Sequence, residues 1–149
     1  MFESDKTVTF SEEDLVKMCR EWQEVLQLEF WEVAVRIARA HEMKLEGQAE
    51  VTWVLQKACA KLTMLDPVDY PEGPFKQDME ISLVHELLHL HFAAVDNFET
   101  SSLECKMMER AVDHIAKALV KLKRKAVPHM SDCAVHNEPA YPKGPCDCR

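Results

Sequence analysis

The pentapeptide His85-Glu86-Leu87-Leu88-His89 is the feature that most constrains this chain. It is an HExxH motif inside a stretch with helical apolar periodicity, and we predict a helix over residues 75–94. Positions four apart on an α-helix return to nearly the same face, about 6 Å along the axis. The two imidazoles can therefore reach one metal ion, while Glu86 points beside them. Two ligands, a base and an open coordination position are what metal-assisted hydrolysis requires.

The pentapeptide alone is weak evidence, because HExxH also arises by chance in unrelated helices. A second helical pattern over residues 100–125 strengthens the case, since it carries Glu109 and Asp113. Between His89 and Glu109 the chain has enough residues to leave one helix, cross a loop and return on a neighbouring helix.

An HExxH motif followed by a helix that bears ExxxD resembles the gluzincin branch of the zincin metallopeptidases, which includes the thermolysin-like enzymes. The resemblance implies that His85, His89 and Glu109 bind Zn²⁺ and that Glu86 is the general base. It also implies that Asp113 supports His85 through the second nitrogen of the ring.

Patterns elsewhere predict an N-terminal helix and three strands. Ser11 is the expected N-cap of a helix that continues to Leu26, with acidic residues in its first turn. Apolar alternation predicts strands over residues 30–39, 49–53 and 58–65. We therefore predict an α+β fold, in which the N-terminal helix, the HExxH helix and the ligand-bearing helix pack on a sheet of about three strands.

This order of elements is similar to that of the very small zincin-like domains of phage and bacteria, over residues 28–122. In zincins an edge strand runs along the cleft and pairs with extended substrate. We predict that residues 58–65 form this edge, because they immediately precede the Pro- and Gly-containing loop 66–74 and the HExxH helix.

The sequence divides into two segments of different composition. Residues 1–125 are expected to form one zincin-like metallopeptidase domain, and residues 126–149 form a tail containing Pro, Cys and His. The tail could hold a small structural zinc site, through Cys133, His136, Cys146 and Cys148. It could instead be disordered or bind a partner, or a tail thiolate could reach the catalytic metal and inhibit it.

Charge and composition restrict the compartment and the partners. The net charge of −8 opposes nucleic-acid binding. The cations at the end of the second helix are expected to interact with its C-terminal dipole; they are Lys117, Lys121, Lys123, Arg124 and Lys125. The N-terminal residues lack the pattern of a secretory signal, and no apolar run is long enough to cross a bilayer. We expect a cytoplasmic protein whose six cysteines are mostly thiols.

The sequence predicts a zinc metallopeptidase, an endopeptidase acting on peptide or protein substrates. Zinc would lower the pKa of water to about 7, and Glu86 would take its proton and pass it to the leaving amine. Tyr70, Arg110, His114 and the tail histidines are alternative donors to the oxyanion. One alternative function is a zincin-fold regulatory protein that keeps the metal site and docks to a partner. Another is a purely structural metal site, which the His₂Glu ligand set disfavours.

Overall fold

The computed structural model describes residues 6–126, which form an α+β fold as predicted. The helices are α1 (Glu12–Val25), α2 (Met79–His89) and α3 (Leu103–Lys125). The strands are β1 (Glu32–Ala38), β2 (Ala49–Val54) and β3 (Cys59–Leu65), and they form one mixed sheet. The tail residues proposed as a second zinc site lie outside the described residues.

The first helix begins where the sequence predicts. The Ser11 hydroxyl accepts a hydrogen bond from the Asp14 N–H at 3.2 Å, which satisfies one of the unpaired donors of the first turn. The buried face of α1 contains Leu15, Cys19 and Trp22. Burial of these side chains against the sheet and α2 stabilises the helix far more than its intrinsic propensity does.

The strands lie in the order β1-β3-β2, with β1 parallel and β2 antiparallel to β3. The register places Val35, Leu62 and Val51 side by side across the three strands. Their neighbours two positions away share this face, which therefore presents a continuous apolar surface to the helices.

The prediction that residues 58–65 form the edge strand is wrong. This segment is β3, and it lies in the centre of the sheet, hydrogen-bonded on both sides. Leu62, Thr63, Met64 and Leu65 are all buried, as expected of the central strand of the sheet. The edge beside the HExxH helix is the antiparallel strand β2, which packs against α2.

Helices α1 and α2 cover the same face of the sheet, and α3 packs on α2. Helix α2 starts at its N-cap Asp78, whose carboxylate accepts the N–H groups of Glu80 and Ile81. It ends at His89 and continues as one 3₁₀ turn, so it is shorter than the predicted helix. The first residues of α2 contact the last residues of α3, which shows that the two helices are antiparallel.

The basic end of α3 is engaged within the fold. Glu80 is buried, and its carboxylate accepts hydrogen bonds from Trp22 Nε1 at 2.9 Å, Lys123 Nζ at 2.7 Å and Arg124 Nη2 at 3.2 Å. Burial acts to raise the pKa of Glu80, but the hydrogen bonds from Lys123 and Trp22 hold that pKa below its ordinary value. One carboxylate therefore ties the three helices together.

We expect Glu80→Gln to lower the free energy of unfolding by about 1–3 kcal/mol at pH 7, because a buried charge that accepts charged donors is lost. The partial exposure of Lys123 and Arg124 keeps the effect below that of a fully buried pair. The folded pKa of Glu80 is lowered, so this stabilisation is present above the unfolded pKa and is lost as pH falls through the folded pKa. Urea unfolding at pH 7 and pH 3 measures it; a constant difference between variant and wild type would contradict the assignment.

Candidate metal centre

Three side chains converge between α2 and α3. His85 Nε2 lies 3.2 Å from Glu109 Oε2 and 3.2 Å from His89 Nε2, and His89 Nε2 lies 3.1 Å from Glu109 Oε1. One helical turn of α2 supplies both imidazoles, and the antiparallel α3 supplies the carboxylate. These are the three residues that the sequence predicted as ligands.

The spacing of these atoms suits a tetrahedral metal ion. Ligands about 2.0–2.1 Å from zinc in a tetrahedral arrangement are about 3.3–3.4 Å apart. The two Nε2 atoms are 3.2 Å apart, and each lies 3.1–3.2 Å from a different oxygen of Glu109. His89 is almost fully buried, whereas the Glu109 side chain is 51% exposed. The ligand triangle is therefore buried at His89 and open to solvent at Glu109. An open fourth position distinguishes catalytic zinc sites from closed structural ones.

Carboxylates stand behind both imidazoles. Asp113 Oδ1 lies 4.0 Å from His85 Nδ1, on the side predicted from the sequence. Asp96 Oδ2 lies 3.3 Å from His89 Nδ1, and the sequence analysis missed this residue. A histidine that binds a metal through Nε2 carries its proton on Nδ1, so an acceptor there fixes both tautomer and ring orientation.

We expect Asp96→Ala and Asp113→Ala each to weaken zinc affinity on the order of 10–100-fold, the usual range for groups that orient a metal ligand. Asp96 lies closer to its imidazole, and Asp113 is shared with Lys117 at 2.7 Å. The loss is therefore expected to be at least as large for Asp96. Competition with a chromophoric chelator measures both affinities, with the exposed Asp14→Ala as the control. Wild-type affinity in Asp96→Ala would contradict its orienting role.

Glu86 is half-buried beside the ligand triangle. Burial, together with the neighbouring carboxylates of Glu109 and Glu50, raises the pKa of Glu86 to about 8. Glu50 lies on β2 and is itself buried; its carboxylate accepts the backbone N–H groups of Lys44 and Leu45. A metal cation bound at His85, His89 and Glu109 would lower this pKa, because it favours the charged carboxylate.

In the metal-free protein, the raised pKa of Glu86 predicts a pH-dependent loss of stability. The unfolded group ionises near 4.5 and the folded group near 8, so stability falls as pH rises between these values. Glu86→Gln removes this titration. The stability of the variant relative to wild type should therefore increase by on the order of 1.4 kcal/mol per pH unit across the window. Urea unfolding of chelator-treated proteins at pH 5 and pH 8 tests this; equal differences at both pH values would contradict it.

The ligand triangle does not include His91, His114, Arg110 or Tyr70. His91 Nε2 lies 2.9 Å from the Leu26 carbonyl oxygen, so it joins the end of α2 to α1. His114 and Arg110 are exposed on α3. The Tyr70 hydroxyl accepts a hydrogen bond from Gln48 Nε2 at 3.0 Å.

The described cysteines agree with the expectation of free thiols. Cys19 is buried, and its burial raises the pKa of the thiol to about 11. Cys59 and Cys105 are half-buried and also unpaired. The remaining three cysteines lie outside the described residues.

The chain matches no protein-family model, no curated protein and no solved structure. The zincin resemblance therefore depends on the HExxH and ExxxD motifs and on the convergence of their side chains. Within residues 6–126, no helix is long and apolar enough to cross a membrane.

Proposed function

We propose that this chain is a zinc-dependent peptidase, with His85, His89 and Glu109 as metal ligands and Glu86 as general base. The observation that carries the proposal is the convergence of His85, His89 and Glu109 from two antiparallel helices, with one potential ligand atom of each within 4.8 Å of the others. Two histidines and one carboxylate form a ligand set typical of hydrolytic zinc sites.

A zinc ion held by these ligands would supply Lewis acidity toward water and the peptide carbonyl. Glu86 would take a proton from the attacking water and deliver it to the nitrogen of the leaving amine. Its position, one residue after His85 on α2, keeps the carboxylate beside the site without making it a ligand. Asp96 and Asp113 would hold the imidazoles with Nε2 toward the metal.

The edge strand β2 is the element best placed to bind an extended peptide. It has one neighbour in the sheet, β3, and it packs against α2, the helix that carries Glu86. A peptide that adds to this edge would bind through main-chain hydrogen bonds, largely independently of its side chains. This assignment replaces residues 58–65 as the substrate strand.

Tyr70 is the candidate oxyanion donor that hydrogen bonds connect to α2. Ser82 Oγ donates to Gln48 Oε1 at 3.3 Å, and Gln48 Nε2 donates to the Tyr70 hydroxyl. Because the phenolic oxygen already accepts one hydrogen bond, its own proton is available to a substrate. Ser82 is one turn before Glu86 on the same helix.

The proposal is tested by incubating the full-length protein with a library of unmodified peptides and identifying cleavage products by mass spectrometry. We expect cleavage that is lost after metal removal and restored by about one equivalent of zinc. A folded chain that binds zinc and cleaves no peptide would contradict peptidase function and favour the alternative of a docking protein.

A further inference from the structure

Helix α3 exposes a line of apolar side chains that no element of residues 6–126 covers. We call it the α3 apolar face; it consists of Leu103, Met107, Ala111, Ile115, Ala118 and Leu122. The exposed fractions are 71% for Leu103, 58% for Met107, 44% for Ile115 and 64% for Leu122. Single exposed apolar residues are common, but a continuous apolar row is typical of a protein interaction site.

The spacing of this face suits a helical partner. Its members follow one another at intervals of four, four, four, three and four residues, so they form the i±4 rows used in helix–helix packing. The alanines at positions 111 and 118 alternate with larger side chains. They leave room for the side chains of a partner helix to approach the backbone of α3.

The face is directed away from the candidate metal centre. Met107 is two residues from Glu109, about 200° around the helix axis. The opposite side of α3 packs into the core through Val112, Ala116 and Val120. A partner on the α3 apolar face would therefore leave the ligand triangle and the β2 edge accessible.

Charge indicates the kind of partner. Arg110 and Lys117 share one edge of the face, since they are seven residues, or two helical turns, apart. Lys117 also pairs with Asp113 within α3. The edge is basic although the whole chain carries a net charge of −8, so the charge of this surface is a local feature.

A second copy of the chain fits this face poorly. In an antiparallel twofold pair of α3 helices, the basic edge would lie against the basic edge of the other copy. In a parallel pair, the two lysine- and arginine-rich C-terminal ends would lie side by side. Both arrangements place like charges together, which opposes association.

We propose that the α3 apolar face binds an amphipathic helix whose apolar row is bordered by acidic residues. Such a helix would bury the exposed leucines, methionine and isoleucine, and its carboxylates would face the basic edge at Arg110 and Lys117. The proposal does not depend on peptidase activity. The face would serve equally to recruit a substrate protein or to attach the domain to a partner.

Two synthetic helical peptides test the proposal on the full-length protein. Both carry the same leucine and alanine row, and the flanking positions are glutamate in one and lysine in the other. We expect the glutamate peptide to bind at least about tenfold more tightly by fluorescence anisotropy, with an affinity that falls as salt rises. The double variant Met107→Glu/Ile115→Glu should lose this binding, whereas Val25→Glu, an exposed apolar site on α1, should keep it. Circular dichroism and zinc content serve to verify that both variants are folded.

Three outcomes would overturn the proposal. The first is equal affinity for the two peptides, and the second is unchanged binding by the folded double variant. The third is a concentration-dependent dimer of the wild type in sedimentation that the double variant abolishes, which would assign the face to a second copy of the chain.

Discussion

Glu86→Gln is expected to abolish peptide hydrolysis while leaving the zinc content and the fold intact. Glutamine has nearly the shape of glutamate but cannot accept a proton at neutral pH. General-base catalysis typically contributes about 10²–10⁴-fold to a rate, so we expect kcat/KM to fall by at least about 10²-fold. The measurement is kcat/KM on the best peptide from the library, together with zinc per chain for the same preparation.

Glu104→Gln is the matched control, because Glu104 is an exposed carboxylate on the helix that carries Glu109. The activity of the Glu104→Gln protein should equal that of wild type. Hydrolysis at the wild-type rate by the Glu86→Gln protein, with a full complement of zinc, would overturn the mechanism without affecting the metal site. Loss of zinc in this variant would instead show that Glu86 has a role in metal binding.

Glu109→Ala is expected to weaken zinc binding by more than the roughly 10–100-fold that follows loss of an orienting group. Glu109 contributes the one anionic ligand and lies within 3.2 Å of both imidazole nitrogens. Without it, two neutral imidazoles remain. Chelator competition on the full-length protein gives the affinity, and the His85→Ala/His89→Ala protein reveals any zinc bound elsewhere in the chain.

Glu104→Ala distinguishes Glu109 from the other acidic residue at the start of α3. Within residues 6–126 the cluster able to hold a metal consists of His85, His89 and Glu109, and Glu104 is outside it. Zinc affinity should therefore be unchanged in Glu104→Ala. Reduced affinity in this variant, with wild-type affinity in Glu109→Ala, would assign the third ligand to Glu104 and remove the basis for the gluzincin resemblance.

The candidate site could be located from the sequence because its geometry is mostly local. The i, i+4 spacing places His85 and His89 on one face of α2 whatever the rest of the fold does. The ExxxD spacing likewise places Glu109 and Asp113 on one face of α3. Only the docking of α2 against α3 is non-local, and the resemblance to the gluzincins implied it.

The order of the strands could not be predicted in the same way. Residues 58–65 were assigned to the edge because they precede the HExxH helix in sequence, but sequence order does not determine position in a sheet. Residues Leu62 to Leu65 are buried at consecutive positions, but Thr63 among them is polar, so the sequence alone did not indicate a central strand. Exposure alternates along the second half of β2, which shows that one face of this strand is solvated but does not place it at an edge.

Asp96 was missed for a different physical reason. It lies in the connection between α2 and α3, where no periodicity relates a residue to the helix before it. Its carboxylate meets His89 only because the turn after residues 90–92 directs the chain back toward the site. The sequence alone therefore does not identify Asp96 as the partner of His89, because the course of the turn must be known first.

The most direct test of the metal centre is zinc K-edge X-ray absorption on the full-length protein, stripped of metal and reloaded with one equivalent of zinc. We expect nitrogen and oxygen ligands at about 2.0–2.2 Å, two of them from imidazoles, and loss of one imidazole in His89→Ala. Sulfur at about 2.3 Å, unchanged in His89→Ala, would show that zinc binds cysteine thiolates instead and would contradict the proposed site.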